Sequence, residues 1–222
     1  EKWKEKRMQW HKLMGFNEKD YRFHDHDKLA HYADAACDIE FKFPFGFKEL
    51  EGIHSRTDFD LSQHEKFSGK KLRYFDPESK ETYVPYVVET SIGLDRMFLS
   101  VLTASFQIEN LENDTKRLVL KIPAFLAPFQ AAVLPLVKKD GLEEKSNELY
   151  ENLRPFLNVT KDEKDAIGRR YRRQDAIGTP VCITIDHDTL KDNSVTFRLR
   201  DSMEQYRVCL LYTSDAADDT PC

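Results

Sequence analysis

The sequence predicts a chain of mixed helices and strands in two domains, and three patterns carry that expectation. Residues 38–45 alternate apolar positions with polar ones or proline, the period of a strand with one buried face. Residues 83–106 read as an apolar strand, a turn at Gly93 and an amphipathic helix. Beyond Pro123 and Pro128, which interrupt any helix, strand and helix patterns alternate as in a small α/β layer domain. A domain boundary near residue 126 follows.

In chain order, Trp3, Trp10, Leu13 and Met14 recur at helical spacing and Gly15 supplies a stop. The chain starts inside this helix at Glu1, without Met, so its true beginning is expected upstream. Lys28 to Ala36 reads as a short helix leading into the strand Asp38 to Phe45, with Ile39, Phe41, Phe43 and Phe45 on one face. Gly46 allows a turn, and Phe47 to Arg56 continues extended with Phe47, Glu49, Glu51 and Ile53 on one side. Residues 57–82, punctuated by Gly69 and Asp76-Pro77, read as a polar connection with one strand around Leu72 to Phe75. Tyr83 to Glu89 suits a buried strand and Leu94 to Phe106 the helix after it; Asn110 to Lys116 is a polar bend. The second domain then offers a buried strand at Ala131 to Val137, helices at Glu143 to Leu157 and Ile167 to Ala176, and strands at Val181 to Ile185 and Val195 to Arg200.

A 40% hydrophobic fraction with 15 Phe and 9 Tyr supplies a packed interior, and 33% charged residues a solvated exterior. The net charge of −5 gives no global field that recruits nucleic acid, so RNA contact would need a local basic patch. No run approaches the roughly 18 apolar residues of a membrane span, so no membrane partner is expected. Cys37, Cys182, Cys209 and Cys222 show neither CxxC pairing nor metal-ligand spacing, and without a signal peptide reduced thiols in a cytoplasm are expected. Residues 209–222 follow the patterned chain abruptly and resemble a translated sequencing adapter. They are expected to be artefactual, with no role for Cys209 or Cys222.

Chemistry concentrates in two segments. Glu89-Thr-Ser-Ile-Gly-Leu-Asp-Arg96 places an arginine in the first turn of a helix, where the dipole disfavours a cation, so Arg96 is read either as an anion ligand or as paired with Asp95 or a neighbouring acid. Glu49-Leu-Glu-Gly-Ile-His-Ser-Arg-Thr-Asp58 puts Glu49, Glu51, Arg56 and Asp58 on or just beyond a strand expected to be central. They form a site if that strand is buried and a solvated face if it lies at an edge. His24-Asp25-His26 has no second cluster to complete a metal site, and Arg169, Arg170, Arg172 and Arg173 read as a basic helical face.

These two segments, with Leu126-Ala-Pro-Phe-Gln-Ala-Ala-Val-Leu-Pro-Leu-Val137 and Tyr171-Arg-Arg-Gln-Asp-Ala-Ile-Gly-Thr-Pro180, resemble the dimeric glycyl-tRNA synthetases in family order, and the likeness covers residues 1 to about 208. The resemblance implies an α+β start, the last part of an antiparallel-sheet class II catalytic core in residues 1–125. It implies a small α/β anticodon-binding domain in 126–208. It implies a glycine–tRNA ligase that uses ATP and Mg2+ to form glycyl-adenylate and charge tRNA(Gly), as a cytoplasmic homodimer. By it, Arg96 and Glu49 carry the chemistry, Glu49, Leu50, Gly93, Leu94, Asp95 and Arg96 contact ATP, and Glu49 bridges magnesium. Arg56, Glu89, Thr90, Ser91, Ile92 and Gly93 surround glycine, Arg56 suiting its carboxylate and Glu89 and Ser91 its ammonium, with alanine rejected for want of room.

The sequence departs from the family pattern in three respects. Thr90 stands where the family commonly has proline and Asp95 where the class has glutamate. The first two class II motifs are expected before Glu1, which leaves this chain inactive alone. A non-catalytic accessory or RNA-binding relative is the rival reading, and intact Glu49, Arg56, Glu89, Ser91 and Arg96 weigh against it. A synthetase for threonine, proline or histidine would share the domain order without the Glu-Leu-Glu-Gly-Ile segment.

Overall fold

A computed structural model describes residues 1–111 and 115–210. The chain forms two compact units, residues 1–104 and Ser105 onward. In the first, helix α1 (Lys2–Leu13) ends before Gly15, whose φ of +88° is open to glycine without the Cβ penalty. Strands β1 (Tyr21–Asp25), β2 (Ala35–Phe43) and β3 (Gly46–Ser55) follow, then α2 (Phe59–Ser68), the two-residue strands β4 (Tyr74–Phe75) and β5 (Thr82–Tyr83), β6 (Val88–Ile92) and α3 (Leu94–Ser105). The main sheet is antiparallel in the order β1-β2-β3-β6, so β3 is interior as expected.

The alternation in β2 sets the core: Ile39, Phe41 and Phe43 are buried, and Phe16, Tyr21 and Phe41 meet with ring centroids 5.2–5.4 Å apart. Phe45, expected on the same face, lies in the turn and is exposed. The register of β2 with β3 shifts between Ile39, opposite Glu51, and Glu40, opposite Glu49. Leu50 is therefore an extra residue in β3, a bulge that reverses its alternation. Glu51 joins Ile39 on the core face and Glu49 joins Glu40 on the other, so the expectation that the two carboxylates share a face is corrected.

Three further readings change. Residues 28–34 are not helical: a segment this short does not offset the cost of nucleation, and Ala35 and Ala36 pair instead with Ser55 and His54. The segment 57–82 contains α2, whose apolar residues Phe59, Leu61 and Phe67 gather on no one face and so give no periodicity, though Asp58 before it and Gly69 after it, at φ +67°, are start and stop residues. The apolar run Tyr83 to Glu89 is no buried strand, because Pro85 has no N–H to donate; pairing starts at Val88, and β6 is an edge strand with Val88, Thr90 and Ser91 exposed.

The second unit opens with the hairpin β7 (Phe106–Asn110) and β8 (Lys116–Leu120), whose connection was read as a bend and includes residues outside those described. Next come β9 (Ala131–Pro135), α4 (Leu142–Leu153), β10 (Val159–Lys161), α5 (Ile167–Ile177), β11 (Val181–Ile185), the single turn α6 (Thr189–Asp192), β12 (Ser194–Leu199) and β13 (Gln205–Cys209). The mixed sheet runs β10-β9-β11-β12-β13, parallel around β9 and antiparallel beyond β11. On one face Val133, Ile183, Ile185 and Val195 pack with Leu142, Leu149 and Leu153 of α4. On the other Ala132, Leu134 and Cys182 pack with Ile167 and Tyr171 of α5. Cys209 closes β13 opposite Ser194 and Leu210 packs on the first cluster; the rest of the segment expected to be artefactual, 211–222, lies outside the described residues. Cys37 and Cys182 are buried free thiols, and burial pushes them up to about 11 and about 12.

Candidate functional site

Register decides which side chains share the non-core face of the first sheet. Ala36, His54 and Glu89 lie in one cross-strand row, Asp38, Gly52 and Ser91 in the next, and Glu40 and Glu49 beyond the bulge. Glu49, Glu89 and Ser91 therefore face the same way, whereas Thr90 and Ile92 alternate to the core side opposite Ile53 and Glu51. Two arginines converge on this face.

Arg96, in the first turn of α3, reaches back 47 residues to β3, where Nη1 donates to the Glu49 carbonyl at 2.6 Å and to Glu49 Oε2 at 3.2 Å. Its acidic neighbour is thus Glu49 and not Asp95. Both side chains are about half exposed, and Arg96 Nε and Nη2 have no hydrogen-bond partner among the described residues. The Gly93 carbonyl accepts from Met97 N at 2.9 Å, closing the first turn of the helix beside Leu94 and Asp95, both exposed.

At the other end of the face Arg56 donates through Nη1 to Glu89 Oε2 at 2.5 Å, and through Nε and Nη2 to Asp60 at 2.5 and 2.9 Å. Tyr32 lies under its guanidinium, 4.2 Å from Cζ to the ring centroid. Asp60 first, then Glu89, holds Arg56 above its ordinary range, and Arg56 in turn holds the Asp60 carboxyl below its own. An open groove of about 710 Å³ is lined by Arg56, Asp60, His64, Glu89 and Thr90. Glu49 and Arg96 do not line that groove; they share its sheet face.

Glu51, Asp58 and Leu50 lie in the interior or bond within the unit. Glu51 is almost wholly buried and receives hydrogen bonds from Arg7 and, at 2.8 Å, from the buried His11, which tie α1 to the sheet. Burial works against its charge, but His11 and Arg7 outweigh burial and lower its titration. Asp58 accepts from Ser62 at the start of α2, and Leu50 is the buried bulge residue. Asp60, missed in the sequence, stands four residues after Arg56, a spacing that could have marked it. His26 Nε2 lies 2.8 Å from Asp38 Oδ2 in an ion-pair contact, and no set of three or more His, Cys, Asp or Glu among the described residues could hold a metal unaided.

In the second unit the basic helix divides. Arg170 is buried and caps the carbonyls of Pro135, Asp165 and Leu136, while Arg173 grips Asp162 and Asp165. Arg169, 78% exposed, and Arg172, 45% exposed, have long ionic contacts to Asp165 and Asp175, at 3.8 and 3.9 Å, and Arg172 Nη1 also meets Met203 Sδ at 3.9 Å. Asp175 is fully buried between Arg117 Nε at 2.9 Å and Arg198 at 2.8 and 3.0 Å. Arg200 fills the carbonyls of Ile122 and Gly178, and Thr179 donates to Gln174. Much of the segment 171–180 is therefore scaffold.

Residues 130–213 match the anticodon binding domain family. Over 209 residues the chain is 50% identical to the glycine–tRNA ligase of Chlorobaculum tepidum, covering 94% of this chain and 44% of the relative. It is 47% identical over 211 residues to that of Borrelia hermsii, covering 93% and 47%. In fold it is similar to a Giardia lamblia prolyl-tRNA synthetase solved with prolyl-adenylate, at a TM-score of 0.57 and 18% identity over 86% of this chain and 38% of that one. The chain spans less than half the length of these curated relatives. Residues 130–213 thus match the anticodon binding domain family, and at near one-half identity almost the whole chain is similar to part of the glycine–tRNA ligases.

Proposed function

We propose that the chain is the C-terminal part of a glycine–tRNA ligase, with residues 1–125 completing a class II catalytic core and 126–208 binding the anticodon. The observation that carries this reading is the meeting of Arg56 with Glu89, 33 residues apart, on the sheet face that also holds Ser91 and Glu49. A guanidinium has five N–H donors, and Arg56 commits three to Asp60 and Glu89. Two remain for the glycine carboxylate, while Glu89 and Ser91 offer acceptors to its ammonium. Thr90 and Ile92 contribute backbone to this subsite, alternating to the sheet face opposite that of Glu89 and Ser91.

Arg96 takes the ATP phosphates. Its free Nε and Nη2 and the N-terminus of α3 set positive charge where pyrophosphate leaves, with Gly93, Leu94 and Asp95 in the same turn. Glu49 steers Arg96 and offers an exposed carboxylate. That donor set fits a magnesium ion shared with nucleotide phosphates, which would supply charge neutralisation, and does not fit an all-protein site. The amino-acid carboxylate attacks the α-phosphate, so the chain's residues orient and stabilise charge without a protein nucleophile. Arg169 and Arg172 are the arginines of α5 placed to meet RNA phosphates. A cytoplasmic homodimer acting on tRNA(Gly) completes the reading.

The test joins residues 1–208 behind the preceding part of the Chlorobaculum tepidum relative and measures glycine-dependent exchange of pyrophosphate into ATP. Exchange is expected, and Arg56→Ala should abolish it. Undiminished exchange in that variant removes Arg56 from the site.

A further inference from the structure

We propose that His54 sets the size of the amino-acid pocket, its imidazole occupying the strip of sheet beside Glu89 and Ser91 that a larger substrate side chain would need. The proposal rests on the reading that this face binds glycine. His54 lies directly opposite Glu89, and Gly52, two residues earlier on the same face, lies directly opposite Ser91. Gly52 leaves bare backbone there, but the space above it is filled. A Cβ built on Gly52 would stand 2.8 Å from His54 Cε1 and 3.5 Å from its Nδ1, with Asp38 Oδ1 next at 3.7 Å. The ring therefore folds back along β3 over Gly52, into the row that Gly52 shares with Asp38 and Ser91.

The neighbours hold it there. His26 meets the ring edge-on, with centroids 6.2 Å apart and planes at 90°, and is itself fixed to Asp38 Oδ2 at 2.8 Å. Ala36, on the far side of His54 in its row, is too small to compete for the space. His54 Nδ1 is buried and has no hydrogen-bond partner among the described residues, so this nitrogen forms no protein contact that would explain the ring's position. Its bulk is what the face uses. A pocket that excludes one methyl group by contact discriminates by roughly 10- to 200-fold, which is the range a single filled position supplies.

The experiment uses the same joined protein and compares kcat/KM for pyrophosphate exchange with glycine and with L-alanine. In the unaltered protein glycine should be strongly preferred. His54→Ala should raise the alanine-to-glycine ratio by about tenfold or more, and His54→Phe, which restores a flat ring without nitrogens, should keep the ratio low. A ratio unmoved by His54→Ala overturns the proposal, and so does a loss of discrimination in His54→Phe equal to that in His54→Ala, since a nitrogen and not bulk would then be responsible. Absence of glycine exchange in the unaltered protein overturns the functional reading beneath it, a result distinct from either of these.

Discussion

The two units use the same ingredients, arginines opposite carboxylates, to opposite ends. In the second unit Arg117 and Asp175 are fully buried and Arg198 nearly so, and the bonds from these two arginines to Asp175 are short. In the first, Arg96 and Glu49 are half exposed, and Arg56 and Glu89 border an open groove. A buried pair has lost its water and can only be broken at the full cost of stranding a charge, whereas an exposed pair exchanges partners cheaply. Burial, which no residue type reports, separates scaffold from site.

The strongest test of that difference is Asp175→Ala, which takes the carboxylate from buried Arg198 and leaves buried Arg117 with the Glu109 carboxylate. It should cost about 3–5 kcal/mol, read as a lowered urea midpoint for the whole chain. A shift of less than about 1 kcal/mol would put Asp175 in the same class as exposed pairs and erase the contrast.

Glu51 belongs with the scaffold although it lies in the first unit, and it supplies a pH test. Its folded titration is lowered from 4.5, so the stability it contributes is present above that value and is lost as pH falls below it through the folded value. Stability should decline with acid below about pH 4.5, and Glu51→Gln should flatten the decline at the cost of lower stability at neutral pH. Equal acid slopes in both proteins would show that Arg7 and His11 do not hold the carboxylate as described.

The sequence carried the long elements well because their patterns are local. The spacing of Trp3 and Trp10 with Gly15 gave α1, and the Ile39-Phe41-Phe43 alternation gave β2. The bulge at Leu50 was not legible, since it depends on which residue of β2 stands opposite, and it alone reverses the faces of Glu49 and Glu51. Resemblance supplied Arg56, Glu89, Ser91 and Arg96 as a set, and geometry added Asp60 and His54, whose neighbours in space are Arg56 in one case and Gly52 in the other. Arg170 and Arg172 look alike in sequence and differ only in which side of α5 the sheet covers.

A smaller effect should separate those two arginines. Arg172→Ala should leave the unfolding midpoint unchanged while weakening tRNA binding a few-fold and lowering the salt slope by about one. Arg170→Ala should lower the midpoint, because it abandons the carbonyls of Pro135 and Leu136. Identical behaviour in the two variants would deny that burial sorts them.

The smallest expected effect on stability lies at the centre of the proposed site. Arg56 touches Asp60, Glu89 and the Tyr32 ring, more partners than Arg117 has carboxylates, so a count of contacts would rank Arg56→Lys among the damaging substitutions. Lysine keeps the charge and loses the planar fork. Because water can replace each lost bond at this groove, the unfolding midpoint should not move measurably, while glycine-dependent exchange in the joined protein should fall steeply as carboxylate recognition loses its two-pronged donor. A midpoint drop as large as that of Asp175→Ala would mean that Arg56 is held as scaffold, and that its hydrogen bonds to Glu89 and Asp60 are not available for exchange with a substrate.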